Sequence, residues 1–222
     1  MRNITGVKIY FLVIPIIIGI AFGAVFTTNL VETPTNSMSL NKENLLDGST
    51  ILGNPNAKIT VVEFGDYQCT FCYKFHKDVM KNINEKYIKP GDVNFVYKDF
   101  PLNGKASILA SEASYCAQQQ NRFWIYHDML YDNWGGENTG WITQEALSTF
   151  AKESELNLEK FNSCMKNSEF QQKVLNNEQF AKEININATP SFLIFNDTEV
   201  YRIIGAQPFE KFELIFQELQ DN

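Results

Sequence analysis

Histidine and cysteine are scarce in this chain: two and four among 222 residues. The cysteines make one Cys-x-x-Cys, Cys69-Thr70-Phe71-Cys72, while Cys116 and Cys164 stand singly. The second ligand pair that a structural zinc site requires is therefore missing, and no metal site is expected. Basic residues are in the minority, 19 Lys and Arg against 26 Asp and Glu, for a net charge of −7. That balance argues against nucleic acid or an anionic membrane surface as a partner. No internal repeat or low-complexity tract is present, so solenoid and propeller architectures are excluded. Only one uncharged apolar run approaches membrane length, and no cysteine lies beside it for lipid attachment.

That run extends from Ile9 to Phe26, after Arg2 and Lys8. As a helix it reaches roughly 27 Å, close to the thickness of a bilayer core. It is longer than the apolar core of most signal peptides, and no sharp small-x-small cleavage site follows it. Residues 1–26 are expected to form an uncleaved N-terminal transmembrane anchor, with a cleaved signal as the alternative. The positive residues keep the N-terminus in the cytoplasm and place the remainder outside, single-pass at the cell membrane, or secreted if the segment is cut. Residues 27–49 are polar and carry Pro34, as in a tether. Residues 50–222 then make one domain, large enough for a full core.

The Cys-x-x-Cys sits where a buried strand turns into a helix. Ile59-Thr60-Val61-Val62-Glu63-Phe64 is short, β-branched and nearly all apolar, the pattern of a strand covered on both faces. Gly65-Asp66 breaks it. From Cys72 onward apolar residues recur at Phe75, Val79, Ile83 and Tyr87, one face of a helix. Cys69 then lies at the helix N-terminus, where free N–H groups and the helix dipole stabilise a thiolate. Cys72 lies on the same face, within reach of a short disulfide. In an oxidising compartment such a pair exchanges disulfides.

Beyond the turn Lys89-Pro90-Gly91-Asp92, Val93–Tyr97 reads as a second strand, parallel to the first. Residues from about 104 to 185 are helical in pattern: Ala106 past Cys116, Phe123 to Leu130, Thr143 to Lys152, Asn157 to Met165, and Glu169 to Ile184. Two strands follow, Ser191–Phe195 and Val200–Ile204, and Pro208 opens a last helix carrying Phe212, Ile215, Phe216 and Leu219. The expected fold class is α/β, βαβ–ββα, with a helical insertion between the second and third core strands.

This order resembles the DsbA-like thiol–disulfide oxidoreductases of the thioredoxin superfamily, over nearly all of residues 50 to 219. The likeness is carried by Leu52-Gly53-Asn54-Pro55-Asn56-Ala57, Glu63-Phe64-Gly65-Asp66-Tyr67-Gln68 and the Cys-x-x-Cys. It continues in Asp99-Phe100-Pro101-Leu102, in Phe123-Trp124 with Tyr126-His127-Asp128, and in Thr189-Pro190-Ser191-Phe192. It implies a thioredoxin-like fold. It also implies that Cys69 forms the mixed disulfide with substrate and Cys72 resolves it. By the same resemblance Glu63 assists proton transfer at Cys72, Pro190 is cis, and Thr189 offers backbone groups to an extended substrate. Thr70 and Phe71 hold the positions that tune redox poise; histidine is absent there, and Phe71 also suits an apolar docking surface.

Cys116 and Cys164 each lie on an apolar helix face. A structural disulfide between them is expected, with two separate buried thiols as the alternative. Closing a loop of about 50 residues contributes roughly 4 kcal/mol in the chain-entropy model. His76 and His127 have neither a carboxylate nor a cysteine partner at catalytic spacing and read as packing residues. The expected activity is oxidation of protein thiols, by a monomer without a cofactor. A membrane partner of the DsbB or vitamin K epoxide reductase type would reoxidise it. The alternatives are a reductase or isomerase of the same fold, and a metal- or peptide-binding module.

Overall fold

Strand β2 (Ile59–Gly65) is buried along its whole length, as its run of branched and aromatic residues requires. In the computed structural model, which describes residues 45–221, β2 is the middle strand of five. The sheet order is β1 (Ile51–Leu52), β3 (Val93–Asp99), β2, β4 (Ser191–Phe195), β5 (Val200–Ile204). β2 and β3 are parallel, and every other pairing is antiparallel. A parallel pair needs a crossover, and helix α1 supplies it, spanning 70–88.

Helix α1 is not a uniform α-helix. It alternates α turns (Thr70–Phe75, Lys81–Ile83) with π turns (His76–Met80, Asn84–Ile88). Its end is closed by an i→i+5 bond from Lys89 N–H to the Asn84 carbonyl at 2.9 Å. Five helices follow β3 as the insertion: α2 (Lys105–Gln118), α3 (Phe123–Asp132), α4 (Gln144–Glu153), α5 (Leu158–Lys166) and α6 (Gln171–Glu183). Thr143 caps α4 by accepting from Ala146 N–H at 3.1 Å, and Asn157 caps α5 by accepting from Lys160 N–H at 2.9 Å. Helix α7 (Phe209–Asp221) closes the described chain. The architecture is the thioredoxin-like βαβ–ββα with its helical insertion.

Alternation along the strands sorts the core. Ile59 and Val61 of β2, with Phe95, Phe192 and Ile194, pack against Phe75, Val79 and Ile83 of α1 and Phe212 and Phe216 of α7. Val62, Phe64, Val96 and Leu193 cover the opposite face with Ala181 and Ile184. A third cluster joins the insertion to the start of α1: Tyr115, Tyr126, Leu130, Leu147 and Phe161 pack with the disulfide-bonded Cys116 and Cys164, and with Tyr67, Cys72 and Tyr97. Glu63 shares the β2 face of Val61, so the strand aims its carboxylate toward α1.

Two features differ from the sequence expectation. Packing begins before residue 50: Leu45 is 1% exposed and sits in the cluster of Val62 and Phe64, so the end of the expected tether belongs to the packed structure. The short strand β1, paired to Val96 and Phe95 of β3, also went unread. The anchor expected over residues 1–26 lies outside the described residues; within them, no helix is long and apolar enough to cross a membrane.

Candidate active site

Helix α1 begins at Thr70 with Cys69 as its N-cap residue, in an extended conformation (φ −64°, ψ 124°). β2 ends just before it at Gly65, where a Cβ would meet the Tyr97 ring at 2.5 Å. Between them Asp66 makes an Asx turn, accepting from Gln68 N–H at 2.8 Å. Its other oxygen accepts from the Asn103 backbone N–H at 2.7 Å and side-chain amide at 3.1 Å. The loop after β3 is thereby tied to the start of α1.

Cys69 and Cys72 are free thiols in different surroundings. Cys69 is 6% exposed, and its Sγ lies 3.4 Å from the Thr189 carbonyl oxygen. Its pKa is lowered to about 6, first by a hydrogen bond from the Cys72 thiol. A Thr189 side-chain bond and the backbone N–H groups of Cys72 and Phe71 add to this, against the opposing effect of burial. Cys72 is fully buried. Burial pushes its thiol well above the usual range, and the neighbouring Cys69 and the Glu63 charge act in the same direction. Its Sγ accepts a long hydrogen bond from Asp66 N–H at 3.5 Å.

Glu63 is 2% exposed, and its Oε1 has no hydrogen-bond partner among the described residues. Burial, then the Cys69 charge, raises its pKa well above the normal carboxylate range. The Thr189–Pro190 peptide bond is cis and places Thr189 against Cys69. Thr70 and Phe71 face outward from the first turn of α1, with Phe71 57% exposed. The fold thus brings Cys69, Cys72, Thr189, Pro190, Thr70 and Phe71 to one rim, with Glu63 beneath. Cys116 of α2 and Cys164 of α5 are bonded to each other in the insertion, within the same buried cluster that reaches Cys69 and Cys72.

Sequence reasoning missed the segment between α3 and α4, 134–141, which straps the start of α1. Trp134 stacks on Tyr73 at 4.5 Å and donates its indole N–H to the Gln68 carbonyl at 3.0 Å. Asn138 N–H donates to the Gln68 side-chain oxygen at 3.2 Å. The Glu137 carboxylate accepts from both the N–H (3.3 Å) and hydroxyl (3.2 Å) of Thr70. The signal available was a glycine-rich turn bracketed by Trp134 and Trp141.

His127 packs among aromatic rings as expected, whereas His76 has a carboxylate neighbour that its spacing did not show. His127 Nδ1 lies 3.0 Å from the Tyr67 hydroxyl, and His76 Nε2 lies 4.0 Å from Asp128 Oδ1. A helical pattern places residues on faces of one helix, and both pairings cross between elements.

A thioredoxin family model matches residues 46–215. Disulfide bond formation protein D of Bacillus subtilis is 30% identical over 152 residues, covering 67% of this chain and 68% of that protein. The probable protein of that name from Bacillus anthracis is 33% identical over 148 residues, covering 64% and 68%. The chain is a DsbA-like protein-disulfide oxidoreductase of the thioredoxin superfamily. The solved structure of oxidised BdbD from Bacillus subtilis superposes on this oxidoreductase with a TM-score of 0.72 at 27% identity, covering 80% of this chain and 95% of that one. Wolbachia pipientis alpha-DsbA1 gives 0.69 at 26% identity, covering 78% and 92%.

Proposed function

We propose that this oxidoreductase runs in the oxidising direction, making disulfides in protein substrates outside the cytoplasm. The observation that carries the reading is the unequal setting of the two thiols. Cys69 lies at the helix N-terminus beside the Thr189 carbonyl, its pKa lowered by its neighbours, Cys72 first, and Cys72 is fully buried, which raises its own. A substrate thiolate attacks Cys69 Sγ of the Cys69–Cys72 disulfide, and Cys72 leaves as a thiolate. The high proton affinity of Cys72 favours its immediate protonation, and the Glu63 carboxyl beneath, its own proton affinity raised by burial, is the donor. A second substrate thiolate then attacks the substrate sulfur of the mixed disulfide. Cys69 departs as a stable thiolate, and the substrate leaves oxidised. Thr189 offers its backbone beside the reacting sulfur, and the exposed Phe71 gives an apolar contact for an unfolded chain.

A depressed Cys69 pKa stabilises the reduced enzyme, which makes the disulfide form a stronger oxidant. With a free thiol near about 8.5, a pKa of about 6 favours the dithiol about tenfold at pH 7, or about 30 mV. The names of the Bacillus relatives, which specify disulfide bond formation, support the same direction. The apolar run Ile9–Phe26 supports tethering at the cell membrane. There a DsbB- or vitamin K epoxide reductase-type partner would return the pair to the disulfide.

Thiolate absorbance of the reduced chain against pH tests the reading. One thiolate is expected to appear near pH 6, lost in Cys69→Ser, while Cys72 stays protonated beyond pH 9. The contribution of Cys69 to the reduced fold is fully present above about pH 8.5 and is lost as pH falls through about 6. A single titration near 8.5 would remove the basis for an oxidising direction.

A further inference from the structure

The active-site helix and the insertion meet at a group of side chains that disulfide exchange does not use. His76 comes from the first π turn of α1, four residues after Cys72, while His127 and Asp128 are adjacent on α3. One donor atom from each lies within 4.8 Å of the other two. We propose that His76, His127 and Asp128 bind a divalent transition-metal ion, with zinc the ion best matched to the donors.

The surroundings of each ligand support this. His127 is buried among Tyr67, Tyr97, Phe123, Trp124 and Tyr131. Its Nδ1 is engaged by the Tyr67 hydroxyl at 3.0 Å, which leaves Nε2 as the ligating nitrogen. A ligating histidine is commonly oriented through its other nitrogen in this way, by a partner outside the coordination sphere. The His76 ring is held by stacking on Tyr131 at 4.8 Å and 24°.

Asp128 supplies the charge and the way in, with its side chain 59% exposed. Among the described residues no lysine or arginine forms an ion pair with Asp128 or Asp132. Two imidazoles and one carboxylate suit zinc, nickel or copper, whereas calcium and magnesium prefer oxygen donors alone. Tetrahedral zinc with ligand bonds of about 2.0–2.1 Å sets its donors about 3.3 Å apart. His76 Nε2 and Asp128 Oδ1, at 4.0 Å, approach that by less than an ångström, within reach of a rotation of the exposed carboxylate. Three protein ligands leave a fourth position for water. The bound ion would clamp α3 to α1 behind the reactive cysteines.

The test is calorimetric titration of zinc chloride into the full chain with Cys69–Cys72 closed as a disulfide, which removes thiolates as competing ligands. One equivalent is expected to bind, and to raise the melting temperature. His76→Ala, at a partly buried position, and Asp128→Ala, at an exposed one, are each expected to weaken binding by about tenfold or more and to abolish the thermal shift. The buried His127 is left intact, and Asp128→Ala, at an exposed position, separates loss of binding from loss of folding. Absence of binding, or equal affinity in the wild type and both variants, overturns the site.

Discussion

Serine at Cys69 is expected to lower oxidation of a reduced test protein by on the order of a thousandfold or more, to the rate without enzyme. Its Sγ is the sulfur that lies at the Thr189 carbonyl, 3.4 Å away, and whose thiolate is stabilised by its neighbours. Cys72 is buried and fails differently. In Cys72→Ser the Cys69 thiolate persists and attacks a substrate disulfide, but no second thiol remains to break the resulting bond. A covalent enzyme–substrate adduct should accumulate on a non-reducing gel, and be absent from the double variant. Oxidation by Cys69→Ser at the wild-type rate would detach the chemistry from this pair.

The second large effect is on stability. Cys116 and Cys164 are joined across a sequence separation of 48 and lie deep in the insertion core, 1% and 2% exposed. Chain entropy alone assigns the bridge roughly 4 kcal/mol. For a domain of this size that corresponds to a fall in melting temperature of roughly 8–16 °C in Cys116→Ala/Cys164→Ala. The bridge joins α2 to α5, and neither of its cysteines is among the groups that set the Cys69 pKa, so the Cys69 titration near pH 6 should be unchanged. A melting temperature within about 2 °C of wild type would mean that the insertion core holds without the bridge.

The fold was legible where a pattern is local. Each core strand shows as a β-branched or aromatic run, and each insertion helix as an apolar face, with Thr143 and Asn157 as caps opening two of the five. Helix α1 was read correctly in place but not in winding. Phe75, Val79, Ile83 and Tyr87 follow at strict four-residue steps, which drift about 40° each on an α-helix. Wider π turns take up that drift and keep Phe75, Val79 and Ile83 buried. The steady spacing was the clue. Leu45 went unread because one apolar residue in a polar stretch carries no period, and only the packed sheet shows what it covers.

The site was legible to the same extent. Cys69 and Cys72 stand out through their spacing at a strand–helix junction, and Glu63 as an acid in an apolar strand. Thr189 and Pro190 lie 120 and 121 positions beyond Cys69, and no periodicity links them to it; family resemblance did. Glu137 and Asp128 meet Thr70 and His76 only after the insertion folds back over α1. Contacts between distant segments leave no spacing to read.

The measurement that bears most directly on an oxidising role is the equilibrium reduction potential of the Cys69–Cys72 pair. It is best read by glutathione titration with thiol alkylation, on a chain keeping the Cys116–Cys164 bridge. An oxidising role predicts a value less negative than about −200 mV, toward the roughly −120 mV of strong oxidants. A value near or below about −270 mV, in the range of thioredoxin, would contradict it and make the enzyme a reductase.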